Sequence, residues 1–313
     1  MILSAKKRED VMKRVVSVSI GSSKRDHRFE LEVLGERILL ERIGTDGDIQ
    51  RAREILAELD GKVDAIGLGG ISFYLYAAGR RYALRDALRL VAHVKQTPVV
   101  DGSGIKATLE TQLPGALAAA TGQELRGRSC LMVNAVERYA LAQALVEAGC
   151  RMTFGDLIFS FGLPLPLHSL RSIDVLGRLL LPLIVHLPFK MLYPTGKEQE
   201  KEVESLATRY LAAAEILAGD YHYIHRHMPR DLRGKSIITN TVTAEDRAIL
   251  KERGATWLAT ASPDFAGRSF ATNVLDALIV AVSGRPPEEL TAADYFTYAT
   301  RLGIKPRVER LNP

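Results

Sequence analysis

Apolar and polar positions change period along the chain, and the changes mark the elements. Arg14–Ile20 (RVVSVSI), Arg28–Leu34 (RFELEVL) and Glu36–Ile43 (ERILLERI) alternate or cluster apolar residues as strands do, with Gly35 placed for a hairpin turn. Asp48–Asp60 repeats apolar residues at helical spacing, enters through Thr45-Asp46-Gly47 and leaves at Gly61. VDAIGLGG and TPVVDGSG read as short strands running into glycine turns, each followed by helical sequence. After the polar connector GQELRGRS, the stretch CLMVNAVERYALAQALVEAGCRMTFGDL has the outline of a strand, an amphipathic helix and a second strand. A long helix is predicted over Lys197–Leu217, then further strand–helix pairs, with Thr243 and Asp246 set as a capping box. Two helices, Ala271–Val282 and Ala292–Leu302, close the pattern.

Strands alternating with helices imply mostly parallel sheets. The expected fold class is α/β: an N-terminal α/β domain over 12–122, a Rossmann-like doubly wound domain over 127–285, and a C-terminal helix and tail over 286–313. Doubly wound sheets take ligands at the carboxyl ends of their strands, so those ends hold the candidate chemistry.

Composition narrows the partners. Apolar residues at 47% and charged residues at 25% over 313 residues suit a globular protein with a substantial core. A net charge of +5 is spread without an aromatic-interleaved basic stripe, which argues against nucleic acid and mildly favours an anionic small molecule. Cys130 and Cys150 read as a reduced cytoplasmic pair, and no signal peptide is visible. Leu176–Pro194 is strongly apolar, but Arg178, Pro182, His186, Pro188 and Lys190 interrupt it. A buried or dimer-contact element is expected there rather than a membrane span.

The turn after Cys130–Val133 lacks the glycines of a dinucleotide fingerprint and reads Asn134-Ala135-Val136-Glu137-Arg138. Asn134 and Ala135 would present backbone amides to a pyrophosphate, and Arg138 would add a guanidinium. Asp156, 22 positions after Asn134, either holds a ribose diol, which favours NAD over NADP, or caps a turn. Gly69 and Gly70 stand where turn amides can meet an anion. Asp101 and Lys106 bracket DGSGIK, where an ammonium can act as acid, base or carboxylate anchor. Ser22 and Ser23 offer hydroxyls to a substrate, and Asn240 and Thr241 follow a strand end. His222 is the preferred site residue of the His222, His225, His227 group, for which no metal is expected.

RVVSVSIGSSKRDH, VDAIGLGGI, VVDGSGIKATLE, EAGCRMTFGDLIFSFGLPLP, NTVTAEDRAILKERGA and GRSFATNVLDALIVA together resemble the bacterial and archaeal proteins called quinate 5-dehydrogenases, in the broad quinate/shikimate dehydrogenase class. The resemblance covers most of the chain. It implies NAD(P)-linked oxidation of a ring hydroxyl on a polyol carboxylate, in a cleft between a substrate domain and a Rossmann-like domain. Lys106 resembles that class's catalytic lysine, and Ser22 and Ser23 are a loose analogue of its carboxylate-binding serine pair. The class's Asn-Thr-Asp aspartate and Gly-Ala-Gly-Gly loop have no counterpart here. The alternative expectation is a relative that binds a metabolite or nucleotide without hydride transfer.

Overall fold

The computed structural model describes residues 12–188, 191, 205–262, 264–265 and 268–313. Two separate sheets organise them. The first comprises β1 (Lys13–Ser19), β2 (His27–Val33), β3 (Glu36–Gly44), β4 (Ala65–Gly69) and β7 (Val99–Val100) in the order β2-β3-β1-β4-β7. All its pairings are parallel except the β2–β3 hairpin. Between β4 and β7 lies a small hairpin, β5 (Tyr74–Ala77) and β6 (Arg80–Ala83). The second sheet comprises β8 (Ser129–Met132), β9 (Arg151–Phe154), β10 (Ile216–Gly219), β11 (Ser236–Thr239), β12 (Trp257–Thr260) and β15 (Arg307–Arg310), in the order β15-β12-β11-β10-β8-β9. Only β15 runs antiparallel. A short hairpin, β13 (Asp264–Phe265) and β14 (Arg268–Ser269), stands apart.

Each sheet is covered on both faces, which explains the nearly continuous apolar runs of its central strands. In β1, Val16 and Val18 pack toward the helices Ile49–Leu59 and Arg85–Val91, whereas Val15 faces the helix Thr272–Ser283. In the second sheet, Cys130 and Met132 pack toward the helices Leu113–Thr121 and Tyr139–Glu147, and Leu131 and Val133 pack toward Leu206–Ala213 and Tyr221–His227. Burying such a side chain contributes about 1.5–3 kcal/mol.

These contacts modify the expected linear division of the chain. The helix Leu113–Thr121 belongs to the core of the second sheet, so the first passage between lobes is at 101–112, upstream of the connector at 122–127. The chain returns at the helix Thr272–Ser283, which packs on β1 and β4 of the first sheet together with Ala292–Arg301. It crosses a third time to place β15 beside β12. The α/β architecture with Rossmann-like sheets and C-terminal helices is as expected; the C-terminal helices belong to the first lobe.

Two further expectations change. Ile216 and Leu217 lie in β10, not at the end of a long helix; in the described part, helix covers Leu206–Ala213. The rest of that predicted helix lies outside the described residues. Of the apolar segment Leu176–Pro194, positions 189–190 and 192–194 are also outside them. The helix Leu170–Ile184 buries Ile173, Gly177 and Leu181 but exposes Leu179 and Leu183 at 66% and 68%, so one face alone is buried. Among the described residues, no helix is long and apolar enough to cross a membrane.

Candidate active-site cleft

In each sheet the strand order reverses beside its first strand. The chain leaves β1 for β3 on one side and β4 on the other, and leaves β8 for β9 on one side and β10 on the other. Such reversals open a crevice at the carboxyl ends of the strands. Here the two crevices face one another and merge into a single cleft of about 900 Å³. Ser19, Gly69 and Ser72 line it from the first lobe, and Glu137, Asp220 and Asn240 from the second.

A hydrogen-bonded group spans the floor. Lys106, at the start of the crossing segment, donates from Nζ to Ser72 Oγ at 2.7 Å and to Glu137 Oε1 at 2.9 Å. Ser72 Oγ donates to the same Glu137 oxygen at 2.7 Å, and Asn134 Nδ2 reaches Glu137 Oε2 at 3.2 Å. Burial works against the Lys106 charge, but Glu137, by its charge and its hydrogen bond, together with Asp101, outweighs it and holds the ammonium above its usual range. Burial likewise works against the Glu137 charge, and Lys106 and Arg138 overcome it, holding the carboxyl below its usual range.

Beside this group Asp220 acts as a hub. Its Oδ2 accepts from Arg138 at 3.0 Å and from Asn240 Nδ2 at 2.9 Å; its Oδ1 accepts the His222 amide at 2.9 Å. The two loops at the reversal of the second sheet are interlocked, because the Asp220 amide donates to Asn134 Oδ1 at 3.1 Å. Gly219 makes this possible: at φ +122° a Cβ would stand 2.6 Å from Asn134 Oδ1. At the rim, Arg25 reaches across from the first lobe to His222 Nε2 at 3.3 Å and to Asp246 at 3.8 Å. Burial pushes the His222 imidazole down to about 4, so it is neutral at pH 7 and accepts from Arg25. Lys24, Arg42 and His27 line the same rim.

The structure places the sequence-predicted residues unevenly. Gly69, Gly70, Asp101, Lys106, Arg138, His222, Asn240 and Thr241 line the cleft. Asp101 spends its carboxylate on the Phe73 and Ser103 amides, at 2.5 and 3.0 Å. Gly104 of the DGSG turn serves packing, since a Cβ there would collide with the Tyr295 ring at 2.1 Å. Ser22 and Ser23 are outside the cleft lining: Ser22 caps the short turn Ser23–Arg25, and the Ser23 amide donates to Asp46. Arg138 is 2% exposed and paired with Glu110 as well as Asp220.

Asp156 and Ala135 lie behind the cleft. Ala135 is fully buried. The Val136 amide donates to Asp156 Oδ1 at 2.9 Å, and the Ala135 amide also faces this carboxylate. The anion position of the turn thus holds the chain's own carboxylate, and Asp156 is directed at the turn rather than at a ribose. The expected preference for NAD over NADP loses its physical basis, which was Asp156. Ser72, Glu137, Asp220 and Arg25 were not foreseen. Glu137 had a signal, three residues after Asn134 in the suspect turn, and Asp220 directly follows β10. Among the described residues, no three His, Cys, Asp or Glu side chains are grouped to hold a metal ion.

Fold and cleft define a two-lobed α/β protein with a polar cleft, lined by both acidic and basic side chains, between its sheets. The chain belongs to the family described as Domain of unknown function (DUF8754), whose model matches residues 104–311; a second, Domain of unknown function (DUF8753), matches residues 14–101. The junction of the two falls where the chain first passes between lobes. No curated protein matches the chain. Among solved structures it is similar to the hetero-hexameric glutamate dehydrogenase of Thermus thermophilus, at 13% identity over 93% of this chain and 74% of that one, TM-score 0.42. It is also similar to the NAD-dependent malic enzyme of Thermotoga maritima, at 15% identity over 93% and 84%, TM-score 0.35. A 5-methylthioribose transporter solute binding protein of Thermotoga lettingae matches at 11% identity over 95% and 86%, TM-score 0.38. Likeness this distant carries no argument about chemistry.

Proposed function

We propose that the cleft takes a small anionic hydroxy- or keto-acid and that the protein is an NAD(P)-linked oxidoreductase of that acid, with a polyol carboxylate such as quinate as the substrate class. The observation that carries the acid–base half of this reading is the buried Lys106–Glu137–Ser72 group at the meeting point of the two lobes. Lys106 is held as an ammonium, so it gives a substrate oxygen a proton or a hydrogen bond, and it favours the oxygen that gains charge when a carbonyl becomes a hydroxyl. Glu137 keeps that ammonium in place, and Ser72 fixes the distance between them. Lys24, Arg25 and Arg42 line the rim as groups that can meet a carboxylate, although Arg42 is paired with Asp26, Arg25 lies beside Asp246, and Glu245 lines the same cleft. A nicotinamide, when bound, supplies the hydride.

The turn after β8 does not fit the standard pyrophosphate cradle, because the Val136 amide is already committed to Asp156. A dinucleotide would therefore rely on other cleft residues, among which Asn240 and Thr241 are the candidates. The same bond favours a second reading, a metabolite-binding protein without hydride transfer. We also place the protein in the cytoplasm, from its reduced cysteine pair, and as a homodimer through the apolar face of the helix Leu170–Ile184.

Binding of NADH and NADPH by fluorescence, then an oxidation screen of polyol acids, tests the two readings. Turnover that needs Lys106 supports the oxidoreductase. Binding of a polyol acid without binding of either nucleotide at millimolar concentration selects the second reading. If neither nucleotide nor acid binds, the cleft assignment fails.

A further inference from the structure

The loop after β4 carries a row of four backbone donors of which only the last is matched. The Phe73 amide donates to Asp101 Oδ2 at 2.5 Å. The three amides before it, of Gly70, Ile71 and Ser72, have no acceptor among the described residues. Ile71 and Ser72 are 5% and 1% exposed, and all three residues line the cleft. Buried amides in this condition are rare in folded proteins. The start of the helix Thr272–Ser283 closes the same corner. A Cβ on Gly69 would stand 3.3 Å from Asn273 Nδ2, and one on Gly102 would stand 2.7 Å from Thr272 Oγ1 and 2.9 Å from the Asn273 nitrogen. Ala271 gives this helix no side-chain cap, and the Thr272 and Asn273 amides have no acceptor among the described residues. Thr272 lines the cleft and is 6% exposed; its hydroxyl makes no hydrogen bond, yet it is not sealed off.

We propose that this corner holds the carboxylate of the substrate, with the Gly70, Ile71 and Ser72 amides and the Thr272 hydroxyl as its donors; the proposal rests on the reading of the cleft as the site of a small acid. The groups left unmatched here are mainly donors, and the helix start adds its positive end, so an anion suits them better than a neutral group. Asp101 already shows that the last amide of the row takes a carboxylate oxygen. A singly charged carboxylate suits the corner better than a phosphate dianion, because Asp101 and Glu137 line the same cleft. Ser72 ties the corner to the acid–base group: its amide serves the carboxylate, while its hydroxyl accepts from Lys106 Nζ at 2.7 Å. The acid is thus held by the first lobe, beside the ammonium, and the rim cations are not its anchor.

An amide-resolved NMR titration of the full chain tests this, with quinate as the probe and quinamide, its uncharged analogue, as the control. The expected result is saturable binding of quinate with the largest shifts at the Gly70, Ile71 and Ser72 amides, and at least about tenfold weaker binding of quinamide, the scale of one charged hydrogen bond. Thr272→Val should weaken quinate by about tenfold while the melting temperature stays near wild type, because the hydroxyl has no protein partner to lose; a merely structural threonine would show the reverse. Quinate binding that moves the Asn240–Thr243 loop and leaves Gly70, Ile71 and Ser72 unmoved would overturn the subsite and leave the oxidoreductase reading standing. So would equal binding of quinamide, or undiminished affinity in a folded Thr272→Val protein. If neither quinate nor any other acid of the screen binds, the reading of the cleft falls and the subsite with it.

Discussion

Glu137 and Arg138 are neighbours in sequence, and each pairs with a charge on the crossing segment, Lys106 and Glu110 respectively. Their surroundings separate them. Lys106 and Glu137 line the cleft beside Ser72, whereas Glu110 is 0% exposed and lies outside the cleft lining. Arg138 spends its charge on Glu110 and Asp220, and these acids hold its guanidinium above the usual range despite its burial. The first pair lies wholly in the cleft; the second reaches it only through Arg138, which Glu110 and Asp220 hold in place. Four charges on two short segments become a reactive group and a structural clamp according to which of them a ligand can reach.

The largest effect should come from breaking the clamp. Arg138→Met leaves Glu110 buried without its cation and should destabilise the protein by about 3–5 kcal/mol in urea unfolding. The double variant Glu110→Met/Arg138→Met should recover part of that loss, because the fully buried Glu110 charge is removed with its partner while Asp220 still loses Arg138 and keeps Asn240 and the His222 amide. Single and double variants of equal stability would show that the pair carries no structural weight.

Lys106→Met should behave in the opposite way. Stability should fall by about 1–3 kcal/mol, since Glu137 keeps Ser72 and Asn134, while any turnover in the cleft should fall by about 10²–10⁴-fold. A variant with unchanged turnover and a stability loss as large as that of Arg138→Met would make the two pairs equivalent and remove the distinction.

Two buried acids outside both pairs sharpen the point, because neither has an ion-pair partner among the described residues. Burial raises Asp276 to about 7, where it accepts from Tyr295 at 2.5 Å, and raises Asp156 to about 6. Their folded-state values lie above the unfolded one, so the stability they contribute is complete below about pH 4. It is lost as pH rises through 6 and 7. Asp276→Asn should therefore gain on wild type by on the order of 2–3 kcal/mol between pH 5 and pH 8. A constant difference between the two proteins across that range would contradict the assignment.

The smallest expected effect is Ser72→Ala, about 1 kcal/mol. It should weaken ligand binding in the cleft more than it lowers the melting temperature, because Lys106 and Glu137 remain paired without the hydroxyl.

Local pattern was enough for the elements that local forces make. Period-two runs gave β1 to β3 within a residue or so, helical spacing gave Ile49–Leu59, and the Thr243–Asp246 box forms with both of its hydrogen bonds. Strand ends followed by glycine or asparagine located much of the cleft, since doubly wound sheets bring those ends together wherever they occur. Lys106, His222 and Asn240 were legible for that reason. The partners of these residues were not. Glu137 meets Lys106 only because the first passage between lobes carries Lys106 across to the turn after β8, and spacing in sequence does not encode that distance. Asp156 and Arg138 stand where a nucleotide site would use them, but tertiary packing turned one toward the Val136 amide and sealed the other against Glu110. The strand–helix pair starting at Glu215 was legible, but the helix predicted before it overran the start of β10, taking in Ile216 and Leu217, because a short, fully buried apolar run has no period of its own. Sequence alone determined which segments are strands and helices and which ends carry polar groups. The tertiary structure decided which charges neutralise each other and which face the cleft, because burial and pairing are properties of neighbours distant in the chain.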